Sequence, residues 1–115
     1  MKRILVIDDE ETVANAMKEV LGTFGYETVI HTTADAGEDA ARCEDFDLIM
    51  VDLMMPDRNG VEVTRSILKD KPGSTILVIT GHPHDPLAGE ALEAGARSLV
   101  AKPFEIGKVI DFLSE

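Results

Sequence analysis

The sequence predicts an α/β fold: a single domain with a doubly wound sheet of five parallel strands and five helices. Short apolar segments alternate five times with segments whose apolar residues are spaced as in a helix. No hairpin turn such as Asn-Gly joins one strand segment directly to the next. The predicted strands at residues 47–52 and 75–80 each contain apolar residues at consecutive positions, which is typical of strands covered on both faces.

The first half of the chain predicts three strands and two helices. The strands are residues 3–8, 26–30 and 47–52. A helix follows the first strand and ends at Gly25. Its apolar face is predicted to contain Val13, Met17, Val20, Leu21 and Phe24. Residues 33–43 form an Ala-rich helix whose first turn is capped by Thr33.

The second half continues the same alternation. Helices are predicted at residues 61–70 and 84–95, with Pro86 near the start of the latter, and strands at 75–80 and 97–101. The chain closes with a helix whose apolar face contains Ile106, Val109, Ile110 and Leu113. Because helices separate successive strands, the strands pair in parallel through right-handed crossovers.

Charge and composition exclude several classes of protein. The formal net charge is −11, so the surface repels nucleic acid and anionic membranes and favours basic partners or cations. No apolar run is long enough to cross a bilayer. Cys43 is the only cysteine, which excludes an internal disulfide and predicts a protein of the reducing cytoplasm.

Polar residues stand where four of the predicted strands end. The first strand ends in Asp8 and Asp9, the third in Asp52 and the fourth in Thr80, and Lys102 follows the fifth. In an open parallel sheet, sites form beyond the carboxyl ends of the strands. We therefore expect these five side chains to lie around one site.

The residue types indicate phosphoryl chemistry. Carboxylate oxygens suit Mg²⁺, which would also offset the repulsion among Asp8, Asp9 and Asp52. Thr80 and Lys102 could then bind phosphoryl oxygens while Asp52 acts as the nucleophile. Each residue alone also has a structural interpretation, as a helix cap, a first-turn acid or a turn residue, and so do Glu10 and Glu11.

As a set, these residues resemble the receiver domain of two-component response regulators, over residues 1–115. The family pattern corresponds to "VIDDE", "VDLMMPDRNG", "VITG" and "AKPF" in this chain. The resemblance implies a flavodoxin-like sheet with strand order 2-1-3-4-5. It also implies direct Mg²⁺ ligation by Asp9, Asp52 and the backbone carbonyl of Met54, with Asp8 acting mainly through water.

The resemblance further implies a signalling protein rather than an enzyme. Asp52 would accept a phosphoryl group from a sensor histidine kinase or phosphotransfer protein, and Thr80 would move toward it. The surface formed by the fourth helix, fifth strand and fifth helix would then change. Its output would be a protein partner, an attached output domain or a homodimer. Leu99 stands where the family usually has an aromatic residue, so the aromatic part of the switch is absent.

Two alternative functions remain open at this point. A receiver fold used only as a binding module would have no phosphorylation chemistry. A phosphohydrolase of the haloacid-dehalogenase type would use the same residue types, but its nucleophile lies on the first strand and its acidic pair comes late in the chain. Here that order is reversed.

Overall fold

The computed structural model describes residues 2–102 and 106–114. These residues form five strands: β1 (Arg3–Ile7), β2 (Glu27–His31), β3 (Leu48–Asp52), β4 (Ile76–Thr80) and β5 (Ser98–Ala101). They also form five helices: α1 (Glu11–Thr23), α2 (Ala34–Cys43), α3 (Gly60–Asp70), α4 (Pro86–Glu93) and α5 (Ile106–Ser114). The predicted alternation is confirmed.

All strand pairs in the sheet are parallel, and the strands lie in the order β2-β1-β3-β4-β5. This confirms the predicted fold class and strand order. The chain moves outward from β1 to β2 and then crosses back to β3 on the other side of β1. The point of reversal between β1 and β3 is where open α/β sheets bind ligands.

A hydrophobic core covers each face of the sheet. On one face α1 and α5 pack against the strands, and on the other α2, α3 and α4 do so. The strands β3 and β4 are buried at every position, which explains their consecutive apolar residues. No helix in the described ranges is long and apolar enough to cross a membrane.

The apolar face of α1 is narrower than predicted. Met17 and Leu21 are buried, but Val20 is 37% and Phe24 55% exposed. Ala14, Met17 and Leu21 recur at intervals of three and four residues and face the sheet, so Val20 lies on the flank of that stripe. Phe24 is the residue after the helix and lies beyond the sheet-facing turn.

Local signals define several helix ends. The Thr33 hydroxyl accepts from the backbone N–H of Ala36 (3.2 Å) and caps α2 as predicted. Asp85 caps α4, which therefore begins at Pro86 rather than at residue 84. Of the residues predicted to form the last apolar face, Val109 and Leu113 are buried. The side chain of Ile106 lies outside the described residues, and so does Pro103 of the quoted "AKPF" segment.

Candidate functional site

The carboxyl ends of four strands bring the predicted polar residues to one edge of the sheet. Asp52 and Thr80 are the last residues of β3 and β4, and Asp8 and Lys102 directly follow β1 and β5. The backbone N–H of Lys102 donates to the carbonyl oxygen of Thr80 (2.9 Å), which continues the parallel pairing of β4 and β5. The position of each side chain therefore follows from the sheet.

Two buried carboxylates form the base of the site. Asp8 is 0% and Asp52 is 3% exposed. Oδ1 of Asp8 accepts from the backbone N–H of Glu10 (2.9 Å), and Oδ1 of Asp52 accepts from that of Met54 (3.2 Å). Each bond reaches two residues ahead, as short Asp side chains do in turns. This fixes each carboxylate and leaves its Oδ2 for other partners.

Lys102 supplies the positive charge at this site. Its Nζ lies 2.8 Å from Oε1 of Glu10, 3.2 Å from Oδ2 of Asp52 and 3.4 Å from Oδ2 of Asp8. The Lys102 side chain is only 16% exposed, so solvent screens these interactions weakly. One ammonium is shared by three carboxylates, and the negative charge is only partly offset.

The electrostatics leave Asp52 difficult to ionise. Burial raises its pKa, and the charge of Asp8 and a hydrogen bond with it raise the pKa further; Lys102 and the N–H of Met54 lower it, and the resulting pKa is about 7. Burial lowers the pKa of Lys102, but Glu10, Asp52 and Asp8 outweigh burial and raise it. The hydrogen bond to Lys102 lowers the pKa of Glu10.

The donor set fits a hard divalent cation such as Mg²⁺. Carboxylate oxygens of Asp8, Glu10 and Asp52 lie within 4.8 Å of one another. Oδ2 of Asp8 and Oδ1 of Asp9 are buried and have no hydrogen-bond partner among the described residues. Buried carboxylate oxygens without donors are suited to a metal ion. Asp9 is half-buried and outside that group of three, so ligation by Asp9 and by the Met54 carbonyl stays a prediction.

A cavity of about 150 Å³ opens above Asp52. Its lining residues are Glu10, Asp52, Met54, Gly81, His82 and Lys102. Two cavities of about 220 and 210 Å³ lie near the amino ends of the strands, far from the buried carboxylates. The smaller cavity is the candidate site because the ionisable groups converge there.

Thr80 lies beneath the cavity rather than in its lining. It is 1% exposed, and its Oγ1 accepts from the backbone N–H of His82 (2.8 Å). Leu99, the residue in place of the usual aromatic, is half-buried against the core formed with α2, α3 and α4.

Glu10 is the site residue that the sequence interpretation missed. Its sequence position predicts a structural role at the start of α1. Glu10 does occupy the N-cap position, but its side chain makes no capping hydrogen bond. It binds Lys102 instead. The available signal was its residue type, because Asp, Asn, Ser and Thr cap helices and Glu is a poor cap.

Comparisons with known proteins agree with this fold. The sequence profile of the family described as "Response regulator receiver domain" matches residues 4–114. The chain is 28% identical to chemotaxis protein CheY of Thermotoga maritima, covering 99% of this chain and 96% of that protein. It is 36% identical to transcriptional regulatory protein FixJ of Rhizobium meliloti, covering 92% of this chain and 52%, about half, of that protein.

A solved structure gives the same result. The crystal structure of response regulator protein TrrA from Thermotoga maritima, in complex with Mg²⁺-BeF, matches with a TM-score of 0.85 and 30% identity. The match covers 99% of this chain and 97% of that one. The chain therefore belongs to the response regulator receiver domain family of two-component signalling.

Proposed function

We propose that Asp52 is the phosphoryl acceptor of this receiver domain and that a phosphohistidine on a sensor histidine kinase or phosphotransfer protein is the donor. The observation that carries the proposal is the environment of Asp52. Its carboxylate is buried below an open cavity, and its Oδ2 lies 3.2 Å from Nζ of Lys102. Membership of the receiver domain family supports a sensor histidine kinase or phosphotransfer protein as the donor. It also argues against a phosphohydrolase of the haloacid-dehalogenase type.

The transfer is a substitution at phosphorus. A carboxylate oxygen of Asp52 forms the new P–O bond while the P–N bond of the donor breaks. The electron pair of that bond stays on the donor imidazole, which then takes up a proton from solvent. Lys102 offsets the charge that accumulates on the phosphoryl oxygens, and such transfers depend mainly on positioning and charge neutralisation.

Asp8, Asp9 and Asp52, with the backbone carbonyl of Met54, are the residues that would hold Mg²⁺. The buried oxygens of Asp8 and Asp9 that accept no hydrogen bond among the described residues support this assignment. The bound ion would neutralise charge on the carboxylates and on the incoming phosphoryl group. Asp52 would then be ionised near neutral pH, where its pKa of about 7 otherwise leaves a fraction protonated.

Thr80 and the surface around α4, β5 and α5 would carry the output. The Thr80 hydroxyl would turn from His82 toward the phosphoryl group, a contact that exists only after phosphorylation. With Leu99 on β5, this switch operates without an aromatic side chain. The net charge of −11 favours output through a protein partner, an attached output domain or a homodimer rather than direct contact with nucleic acid.

Intact-protein mass after incubation with a small phosphodonor tests this proposal. Acetyl phosphate and phosphoramidate, which has a P–N bond, are each used with Mg²⁺ or with EDTA. We expect one added phosphoryl group on the wild type and on Asp57→Asn, but none on Asp52→Asn or in EDTA. Asp57 is a suitable control because it lies in the same loop while its carboxylate accepts from Ala34 N–H (3.0 Å).

Two outcomes would contradict the proposal. If the wild type gains no phosphoryl group and does not bind beryllofluoride in Mg²⁺, the domain is a phosphorylation-independent binding module. If Asp52→Asn gains as much as the wild type, another residue is the acceptor.

A further inference from the structure

The ammonium of Lys102 is shared by three carboxylates. Its Nζ donates hydrogen bonds to Oε1 of Glu10 (2.8 Å) and Oδ2 of Asp52 (3.2 Å), and it lies 3.4 Å from Oδ2 of Asp8. Glu10 and Lys102 also line the cavity above Asp52. A phosphoryl group in that cavity would approach the same ammonium as these carboxylates and compete with them for it.

The three carboxylates differ in how easily they can leave. The side chains of Asp8 and Asp52 are 0% and 4% exposed, and each is fixed by a backbone N–H. The Glu10 side chain is 58% exposed and lines the cavity, so water can solvate its carboxylate after it leaves Lys102. Separating a buried carboxylate from its cation costs far more than separating an exposed one.

The start of α1 independently indicates a role for Glu10 at Lys102. Glu10 occupies the N-cap position, where a side-chain oxygen normally accepts an N–H of the first turn, yet it makes no such bond. Its carboxylate instead makes the shortest of the three contacts to Lys102, at 2.8 Å. The residue at the N-cap position therefore faces the site instead of capping the helix, and such local exceptions are common at functional positions.

We propose that Glu10 is a positioning residue that acts as a resident anion: it binds Lys102 in the unphosphorylated domain and is displaced by the phosphoryl group. This rests on the proposed phosphorylation of Asp52. Glu10 holds the ammonium at the mouth of the cavity, above Asp52. It also competes with the phosphoryl group, so it weakens the phosphorylated state relative to a domain without this carboxylate.

Beryllofluoride titration tests the competition. Its dissociation constant in saturating Mg²⁺ is measured by calorimetry or ¹⁹F NMR for wild type, Glu10→Gln and Glu11→Gln. Glu11 is the matched control, since it is the exposed neighbour with the same charge and has no contact with Lys102 in the described part of the chain. We expect Glu10→Gln to bind about two- to fivefold more tightly than Glu11→Gln, as for loss of a mostly exposed ion pair.

A titration with Mg²⁺ alone distinguishes a Glu10 carboxylate that competes for Lys102 from one that binds the metal ion. We expect the Mg²⁺ affinity of Glu10→Gln to match that of Glu11→Gln within about twofold, which corresponds to about 0.4 kcal/mol. Damage to the site weakens binding, so a gain in beryllofluoride affinity without a gain in Mg²⁺ affinity is not explained by a structural role.

Three results would overturn the inference. Equal or weaker beryllofluoride binding by Glu10→Gln than by Glu11→Gln would show that Glu10 does not compete. A marked loss of Mg²⁺ affinity in Glu10→Gln would make Glu10 a metal ligand instead. A wild type that binds no beryllofluoride would remove the proposed function and this inference together, and only that result affects the proposed function.

Discussion

Nζ of Lys102 lies 3.2 Å from Oδ2 of Asp52, although the two residues are 50 positions apart in the chain. The contact joins the ends of β3 and β5, which are not neighbours in the sheet because β4 lies between them. In the proposed phosphoryl transfer, this contact would place the cation where negative charge accumulates. The stability of the domain and the proposed chemistry would then depend on the same few atoms.

Asp52→Asn should stabilise the metal-free domain, and the gain should grow with pH. The pKa of Asp52 is about 7 in the folded state, above its ordinary value of 3.8, so ionisation opposes folding. The contribution of protonated Asp52 to the stability of the domain is therefore fully present below pH 4 and is lost as pH rises through 7. The variant should gain at most about 4 kcal/mol relative to wild type.

Urea unfolding of both proteins in EDTA at pH 5 and pH 8 measures this difference. A wild type that gains stability over Asp52→Asn between pH 5 and pH 8 would contradict the raised pKa.

Lys102→Met should destabilise the metal-free domain by about 2 kcal/mol at pH 8, because two buried carboxylates lose their cation. The loss is smaller than for a fully buried ion pair, since Asp52 can take up a proton. Mg²⁺ should restore part of the stability because it offsets the same charges. Melting temperatures in EDTA and in Mg²⁺ test this. The explanation fails if Mg²⁺ stabilises the variant no more than the wild type.

Arg58→Met should lower the free energy of unfolding by about 2 to 3 kcal/mol. Arg58 lies in the loop after Asp52, and its Nη1 binds Oε2 of Glu38 in α2 at 2.6 Å. Since the Glu38 side chain is 7% exposed, the variant leaves a buried carboxylate without its cation. The matched control is Arg42→Met, which removes an exposed pair with Asp39 and should cost less than about 1 kcal/mol.

A double-mutant cycle completes this test. Arg58→Met combined with Glu38→Met should lose much less than the sum of the single changes, because neither buried charge remains. Strict additivity in denaturant unfolding would show that the pair has no coupling energy.

Gly89→Ala should stabilise the domain by about 0.5 to 1 kcal/mol, because alanine has the higher helix propensity. Gly89 is exposed within α4, and an added Cβ would meet no atom within 4 Å. Gly37→Ala in α2 should destabilise the domain, because the added Cβ would lie 2.5 Å from the Ile7 side chain. Thermal unfolding should show a rise in melting temperature for the first variant and a fall for the second. A fall for Gly89→Ala would mean that α4 requires glycine at this position.

The sequence by itself determined the fold and four residues of the site. Alternation of strand and helix patterns fixes a parallel sheet, and parallel strands place the residues at their carboxyl ends along one edge. Asp8, Asp52, Thr80 and Lys102 could therefore be assigned to one site without coordinates. The strands β3 and β4 were recognisable because burial on both faces leaves four consecutive apolar residues before the polar residue that ends each strand.

The tertiary structure alone decided which charges meet. The sequence places Asp9 in the site and gives Glu10 a structural role, but Glu10 reaches Lys102 while one buried oxygen of Asp9 has no hydrogen-bond partner among the described residues. Likewise, only packing shows that Phe24 is exposed and that Glu38 is buried beside Arg58. Residue patterns record which side of an element faces the core, whereas side-chain direction and reach across different elements depend on the three-dimensional packing.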